Sequence, residues 1–302
     1  MDPNRRELIG RTAAVALAAA LPVPLWAADP IRKSIPSSGE AIPAIGVGTA
    51  RRYQGAGEAD RAVLRATLQK FVELGGTVID TAPSYGDAEA VIGALLAGLQ
   101  SARPPFLATK LGATGRADGL AQVEESFKRL GRPRLDLIAI HNLQDIGTQL
   151  PLLRELKSAG RTRYVGATTS TDRQYTAFEA MMKRETLDFI QVDYALDNRG
   201  AAERILPLAR DRNMAVMINL PFGRGRLFDA TRGKPLPAWA ADFDCTSWAQ
   251  FFLKYLIAHD AVTCAVPGMA KLEYVVDNLA AAAGRLPDPA TRRRMETFID
   301  AI

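Results

Sequence analysis

Val78-Ile79-Asp80-Thr81-Ala82-Pro83-Ser84-Tyr85-Gly86 is a short β-branched apolar run that ends in a carboxylate, breaks at a proline and sets a phenol on the loop beyond. Val and Ile suit a buried strand, and Pro83 with Gly86 stops it, so a helix is expected to start near Asp87. A strand that ends in one ionisable group, with a second on the loop above it, makes a plausible half-site. Whether it is more than a capped strand end depends on what the neighbouring strands carry.

Outward from that stretch, residues 31–34 and 41–49 flank Ser37-Ser38-Gly39 and read as a hairpin that runs on into a strand. Leu64, Leu68 and Phe71 recur at helical spacing, and Gly75-Gly76 ends that helix. Downstream, residues 88–99 read as a helix, 105–110 as a strand ending at Lys110, and Leu120, Val123, Phe127 and Leu130 as an amphipathic helix closed by Gly131. Leu135 to Ile140 is a buried strand ending at His141. The alternation continues with strands at 163–167, 189–192, 214–220 and 262–266, and with helices between and after them. An irregular stretch, 222–244, interrupts it.

Counted from Ile45 there are eight strands, each followed by a helix. Continuous apolar strands separated by amphipathic helices mean a parallel sheet covered on its outer face. Residues 28–302 are long enough for a single closed (β/α)8 barrel, which typically takes about 250 residues. A doubly wound open sheet is the competitor, and no Gly-x-Gly-x-x-Gly turn follows the first strand to support it. The fold expected is one α/β TIM barrel with an N-terminal β-hairpin.

Composition agrees. Of 302 residues, 48% are apolar and 24% charged, ordinary for a globular domain, and the formal charge is +5. No Lys/Arg stripe interleaved with aromatics is present, so no nucleic-acid partner is expected. Residues 1–27 are a separate segment. Arg5-Arg6 precedes a mildly apolar run, 12–21, and Leu25-Trp26-Ala27 offers a small residue for cleavage. That pattern is expected to be a twin-arginine signal, with the export machinery as partner and a periplasmic destination. The run is too short and Ala-rich for a span of about 20 apolar residues, so no stable membrane anchor is expected after processing. Cys245 and Cys264 are expected to be free thiols.

In a barrel the chemistry sits at the C-terminal ends of the strands. Asp80, Lys110 and His141 end three successive strands, and Tyr85 lies on the loop leaving the first. A structural ion pair or a buried histidine would account for any one of them, though less well for all four together. Reducing a carbonyl needs a hydride and a proton donor. Tyr is a weak acid, of pKa about 10, that a neighbouring ammonium can tune. Lys110 would supply that charge, Asp80 would hold Lys110, and His141 would orient the substrate oxygen.

At these residues the chain resembles the aldo-keto reductases over most of its length, from about residue 35 to 288. The resemblance is most specific at Asp80-Thr81-Ala82 with Tyr85-Gly86 and Glu89, at Thr109-Lys110, and at Asp136-Leu137 with His141. It implies a catalytic tetrad of Asp80, Tyr85, Lys110 and His141. It also implies a nicotinamide cofactor, NADP(H) or NAD(H), extended across the mouth against Gly48, Thr49, Asp80, Thr168, Thr169, Gln191, Pro267, Gly268 and Asn278. Asn219, Leu220, Pro221 and Lys271 complete that cofactor set. No metal is implied. The substrate would be a small carbonyl compound or alcohol.

Three positions depart from the family pattern. Thr168-Thr169 stands where Ser-Asn is common, Asn219 where an aromatic stacks on the nicotinamide, and Tyr274 where an Arg grips a 2′-phosphate. NADP preference is therefore open, with Lys271 as a compensating point charge. The rival reading is a nicotinamide-binding or sensing protein with little turnover. A barrel hydrolase using Asp80 and His141 leaves Lys110 and Tyr85 unexplained, and no metal-ligand spacing supports it. The segment 223–244, with Trp239 and Trp248 near its end, is expected to overhang the mouth and favour an aromatic or alicyclic substrate.

Overall fold

The computed structural model describes residues 29–302. The signal read at residues 1–27 lies outside them. An antiparallel hairpin, β1 (Arg32–Ser34) and β2 (Ala41–Pro43), comes first. Eight parallel strands follow: β3 (Val47–Gly48), β4 (Val78–Asp80), β5 (Phe106–Leu111), β6 (Leu135–Ile140), β7 (Thr162–Thr168), β8 (Phe189–Asp193), β9 (Ala215–Asn219) and β10 (Cys264–Ala265). They pair in chain order, and parallel bridges from Ile45 to Ala265 and from Gly48 to Gly268 join last to first. The sheet is a closed (β/α)8 barrel.

Its helices are α1 (Glu58–Glu73), α2 (Ala88–Leu96), α3 (Arg116–Leu130), α4 (Ile146–Ser158), α5 (Tyr175–Arg184), α6 (Gly200–Asp211), α7 (Arg226–Ala230), α8 (Trp248–Ile257), α9 (Leu272–Ala280) and α10 (Pro289–Asp300). The helices that alternate with the strands lay apolar stripes on the outer face of the sheet. In α3 that stripe includes Val123, Phe127 and Leu130, and Gly131 ends the helix in the left-handed conformation (φ 63°).

Successive strand residues point to opposite faces, so every second side chain enters the barrel. Val78, Phe106, Leu137, Tyr164, Phe189 and Met217 form one buried cluster inside it. Phe106 stacks on Tyr164 with ring centroids 6.0 Å apart, and Tyr164 meets Phe189 edge-on at 5.5 Å. The hairpin closes the barrel at this end: Ile35 and Ile42 join the same cluster. Tyr164 donates to Glu40 Oε2 (2.6 Å) and pairs with Ser38 Oγ (2.7 Å). With the floor sealed, the other end of the strands is the open mouth.

The sequence placed these elements well and misjudged some edges. Residues 41–49 are not one strand. Pro43 ends the ladder with Arg32, and the chain turns before β3 enters the barrel. The last strand is shorter than 262–266, and the irregular stretch 222–244 contains α7 and two 3₁₀ turns. Both cysteines are free and buried.

Candidate active site

The alternation that fills the barrel also builds the mouth. Along β5, Phe106 and Ala108 point inward, and the next inward residue is Lys110. Along β4 the inward positions are Val78 and Asp80. Leu137 and Ala139 lead to His141 at the exit of β6 in the same way. Thr109, on the outer face, donates instead to Glu89 Oε1 of α2 at 2.6 Å. A residue's parity within its strand thus decides whether it faces the mouth or the helices.

Lys110 is 2% exposed and Asp80 6%. Lys110 Nζ lies 2.9 Å from each oxygen of Asp80 and 2.9 Å from the carbonyl of Thr81, so all three ammonium protons have acceptors. Burial works against this ammonium. The Asp80 carboxylate and the Tyr85 phenol more than offset it, and its pKa ends above the ordinary lysine value. Tyr85 is half-buried, its ring centroid 5.2 Å from Lys110 Nζ and 6.1 Å from the His141 ring, which it meets edge-on. Burial, and then the charge of Lys110, push the His141 imidazole down to about 4, so it is neutral at pH 7. Ser84 Oγ sits 3.4 Å from His141 Nδ1. If Nδ1 accepts from that hydroxyl, Nε2 carries the proton and can donate to a substrate oxygen.

Four groups from three adjacent strands therefore meet at one point: a buried cation with its counterion, a phenol beside it and a neutral imidazole. Such a set can hold a carbonyl oxygen and deliver a proton to it.

The residues read as cofactor contacts continue round the rim. Thr168 pairs in register with Gln191, and both are buried. Thr168 Oγ1 accepts from the backbone N–H of Asn142 (3.0 Å), and Thr169 Oγ1 donates to Gln174 Oε1 (2.8 Å). Asn219, at the end of β9, donates to the carbonyl of Thr169 at 2.9 Å, while its Oδ1 is buried with no partner among the described residues. An orphaned acceptor flanked by buried hydroxyls and an amide suits a carboxamide-bearing ring such as nicotinamide. Leu220 follows with φ at 51°, a left-handed backbone unusual for leucine, and leads into buried Pro221.

Gly48 serves the seam. A Cβ there would lie 2.7 Å from the Val266 carbonyl oxygen, so only glycine lets β3 and the end of β10 approach this closely. Thr49 is buried and donates to the Asp80 carbonyl at 3.0 Å. Pro267 is buried and accepts from Gly48 N–H (2.9 Å), whereas Gly268 is exposed on the rim. Lys271 is exposed at the start of α9, its Nζ 3.9 Å from Glu273, and Asn278 is buried further along that helix. Both oxygens of Asp80 engage Lys110, so Asp80 belongs first to the ion pair.

The expectation drawn from Trp239 and Trp248 changes. Trp239 packs edge-on against Phe251 and Phe298, and Trp248 stacks on Phe252 and Phe298. Trp239 ties the segment to α8 and α10, Trp248 of α8 donates to the Lys234 carbonyl within it (2.9 Å), and neither lines the cleft at the tetrad. Arg226 is held by Asp197 (2.9 Å). What does line that cleft, Ser84, Gln122, Asn142 and Gln144, carries no local signature in the sequence. Ser84 alone stood inside the motif already singled out.

The sequence model of the Aldo/keto reductase family matches residues 44–293, and the chain belongs to that family. It is 30% identical to the methylglyoxal reductase YeaE of Escherichia coli over 82% of this chain and 89% of that protein. It is 28% identical to the NADH-specific methylglyoxal reductase of the same organism over 57% of this chain and 60% of that one. Among solved structures it resembles an aldo-keto reductase from Klebsiella pneumoniae in complex with NADPH, with a TM-score of 0.73 and 27% identity. That likeness covers 90% of this chain and 95% of the other.

Proposed function

We propose that this chain reduces an aldehyde or ketone to the alcohol, or runs the reverse, with a nicotinamide cofactor and with Tyr85 as the proton donor. The observation that carries the reading is the Asp80–Lys110 pair set against the Tyr85 ring and the neutral His141 imidazole. The cofactor, when bound, supplies the hydride. Thr168, Thr169, Gln191 and Asn219 would hold its carboxamide end at the rim. His141 Nε2–H and the Tyr85 hydroxyl hold the substrate oxygen and fix which carbon faces the hydride. As negative charge grows on that oxygen, the Tyr85 proton moves to it. The Lys110 ammonium, kept charged by Asp80, stabilises the phenolate left behind.

Tyr85→Phe removes the hydroxyl and keeps the ring. Its rate should fall by at least about 10²-fold, the lower end for losing a general acid. An unchanged rate would dismiss the mechanism. The sensor reading has in its favour the weakened nicotinamide contacts, with Asn219 in place of an aromatic, and the export-signal pattern, but it leaves the buried Asp80–Lys110 pair without a task.

The Arg5-Arg6 segment supports a second proposal, export of the folded protein to the periplasm by the twin-arginine route with its cofactor already bound. Cell fractionation of the wild type and of the double Arg→Lys variant, with mass spectrometry of the cofactor released, tests it. Periplasmic protein recovered empty would reject the carried cofactor.

A further inference from the structure

Single apolar side chains on a protein surface are ordinary, but several gathered on one side are not. Among the described residues, Val63 on α1 is 52% exposed, and Leu272 and Val276 on α9 are 47% and 38% exposed. The two helices pack against each other over the seam of the barrel, since α1 follows β3 and α9 follows β10. On α9 the Asp277 carboxylate accepts from Ser247 Oγ (2.8 Å) and Gln250 Nε2 (2.7 Å), so that flank faces α8. Leu272 and Val276, one turn apart, stand on the other flank, toward α1. On α1, Arg65 leans over α2: a Cβ at Gly98, just past that helix, would lie 2.9 Å from Arg65 Nη1. Val63 lies on the opposite flank, toward α9. The three side chains therefore form one apolar strip across the junction.

The other edge of α1 carries charge. Glu58 and Arg65 are both exposed, and neither side chain has an ion pair among the described residues. They are two turns apart on one edge of the helix, about 10 Å along it. That spacing is self-complementary. When two copies of α1 lie antiparallel about a two-fold axis that crosses near Ala62, each Glu58 meets the other copy's Arg65, and the two apolar edges meet each other. A parallel pair would set the charged edge against the apolar one instead. Ala62 is exposed at the crossing and offers no bulk to hold the helices apart.

We infer that this face is where a second copy of the chain docks, as an antiparallel two-fold pair through α1 and α9. An unrelated protein would need no such self-matching spacing of Glu58 and Arg65. Because the same patch serves on both sides, the contact closes on itself and yields a dimer. Val63, Leu272 and Val276 leave water in it, and the two Glu58–Arg65 pairs at its rim fix the register. Three large apolar side chains fall short of the roughly 800 Å² per partner of a standard interface, so the dimer is weak and dissociates on dilution.

Sedimentation equilibrium of the purified chain over roughly 1–200 µM tests this, with Glu58→Arg, Arg65→Glu, the double swap and Val63→Asp beside the wild type. The wild type is expected to pass from monomer to dimer within that range. Each single swap should weaken association by about tenfold or more, and the double swap should restore it to within about threefold. Val63→Asp should stay monomeric throughout. Circular dichroism checks that each variant is folded, and Glu58→Gln or Arg65→Gln, which only remove a charge, replace any that is not. A wild type that remains monomeric overturns the inference. So does a dimer that the single swaps leave intact or the double swap fails to restore, because the contact then lies on another face.

Discussion

At the scale of the residue, the site depends on which groups are charged. Lys110 stays an ammonium because Asp80 and Tyr85 outweigh its burial, and His141 stays neutral because burial and Lys110 both oppose its proton. The imidazole should therefore titrate near 4 when followed by NMR of its ring protons, and activity should show no His141 ionisation near pH 6.5. A midpoint above 6 would contradict this. The sign for stability follows. Between about pH 6.5 and 4 the unfolded chain binds a proton that folded His141 refuses, so stability present above 6.5 is lost as the pH falls through that window. His259, also pushed down to about 4 by burial and Arg292, acts in the same sense. Urea unfolding at pH 7 and pH 5 measures their sum. Asp80, Lys110 and His141 were legible in the sequence because each is the first ionisable residue after an apolar run. Gln122 and Gln144 were not, since an amide on a helix or a loop looks like any solvated residue until the fold sets it beside His141.

At the scale of the element, strand parity does the sorting. The same strand sends Thr109 to Glu89 and Lys110 to Asp80. The strands were readable from their β-branched runs, and the helices from their apolar stripes. Less readable were β3 and β10, two residues each, where pairing comes from tertiary closure more than from local preference. The segment 223–244 misled for a related reason. Its aromatic residues were read as an overhang of the mouth, whereas Trp239 packs on Phe251 of α8 and Phe298 of α10. Closure at the seam gives a direct prediction. Gly48→Ala would press a methyl group to 2.7 Å from the Val266 carbonyl oxygen. A cost on the order of 1–3 kcal/mol is expected in urea unfolding, as for other overpacked sites. A variant as stable as the wild type would show that the seam can yield.

At the scale of the whole molecule, cofactor choice follows from what the rim lacks. Tyr274 is exposed on α9, with Lys271 Nζ 5.5 Å from its ring centroid, and Arg226 is already paired with Asp197. No bidentate guanidinium stands ready for a 2′-phosphate at position 274, and Lys271 shares its charge with Glu273. Discrimination between NADPH and NADH should stay within about tenfold, or 1.4 kcal/mol. Fluorescence titration with each cofactor measures it. A hundredfold preference for NADPH would show that another cation has taken the role.

The ring itself is unequal round its circumference. Between β5, β6 and β7 the ladders run along most of each strand, whereas β3 and β10 hold each other at Ile45–Ala265 and Gly48–Gly268. Local opening is cheapest where the fewest bonds must break. A partly unfolded molecule would thus unzip at the seam, freeing Gly48 and Gly268, the positions read as cofactor contacts, while Lys110 and His141 stay assembled on the firmer arc. Loss of cofactor would then precede loss of the catalytic group, and its return would knit the barrel shut.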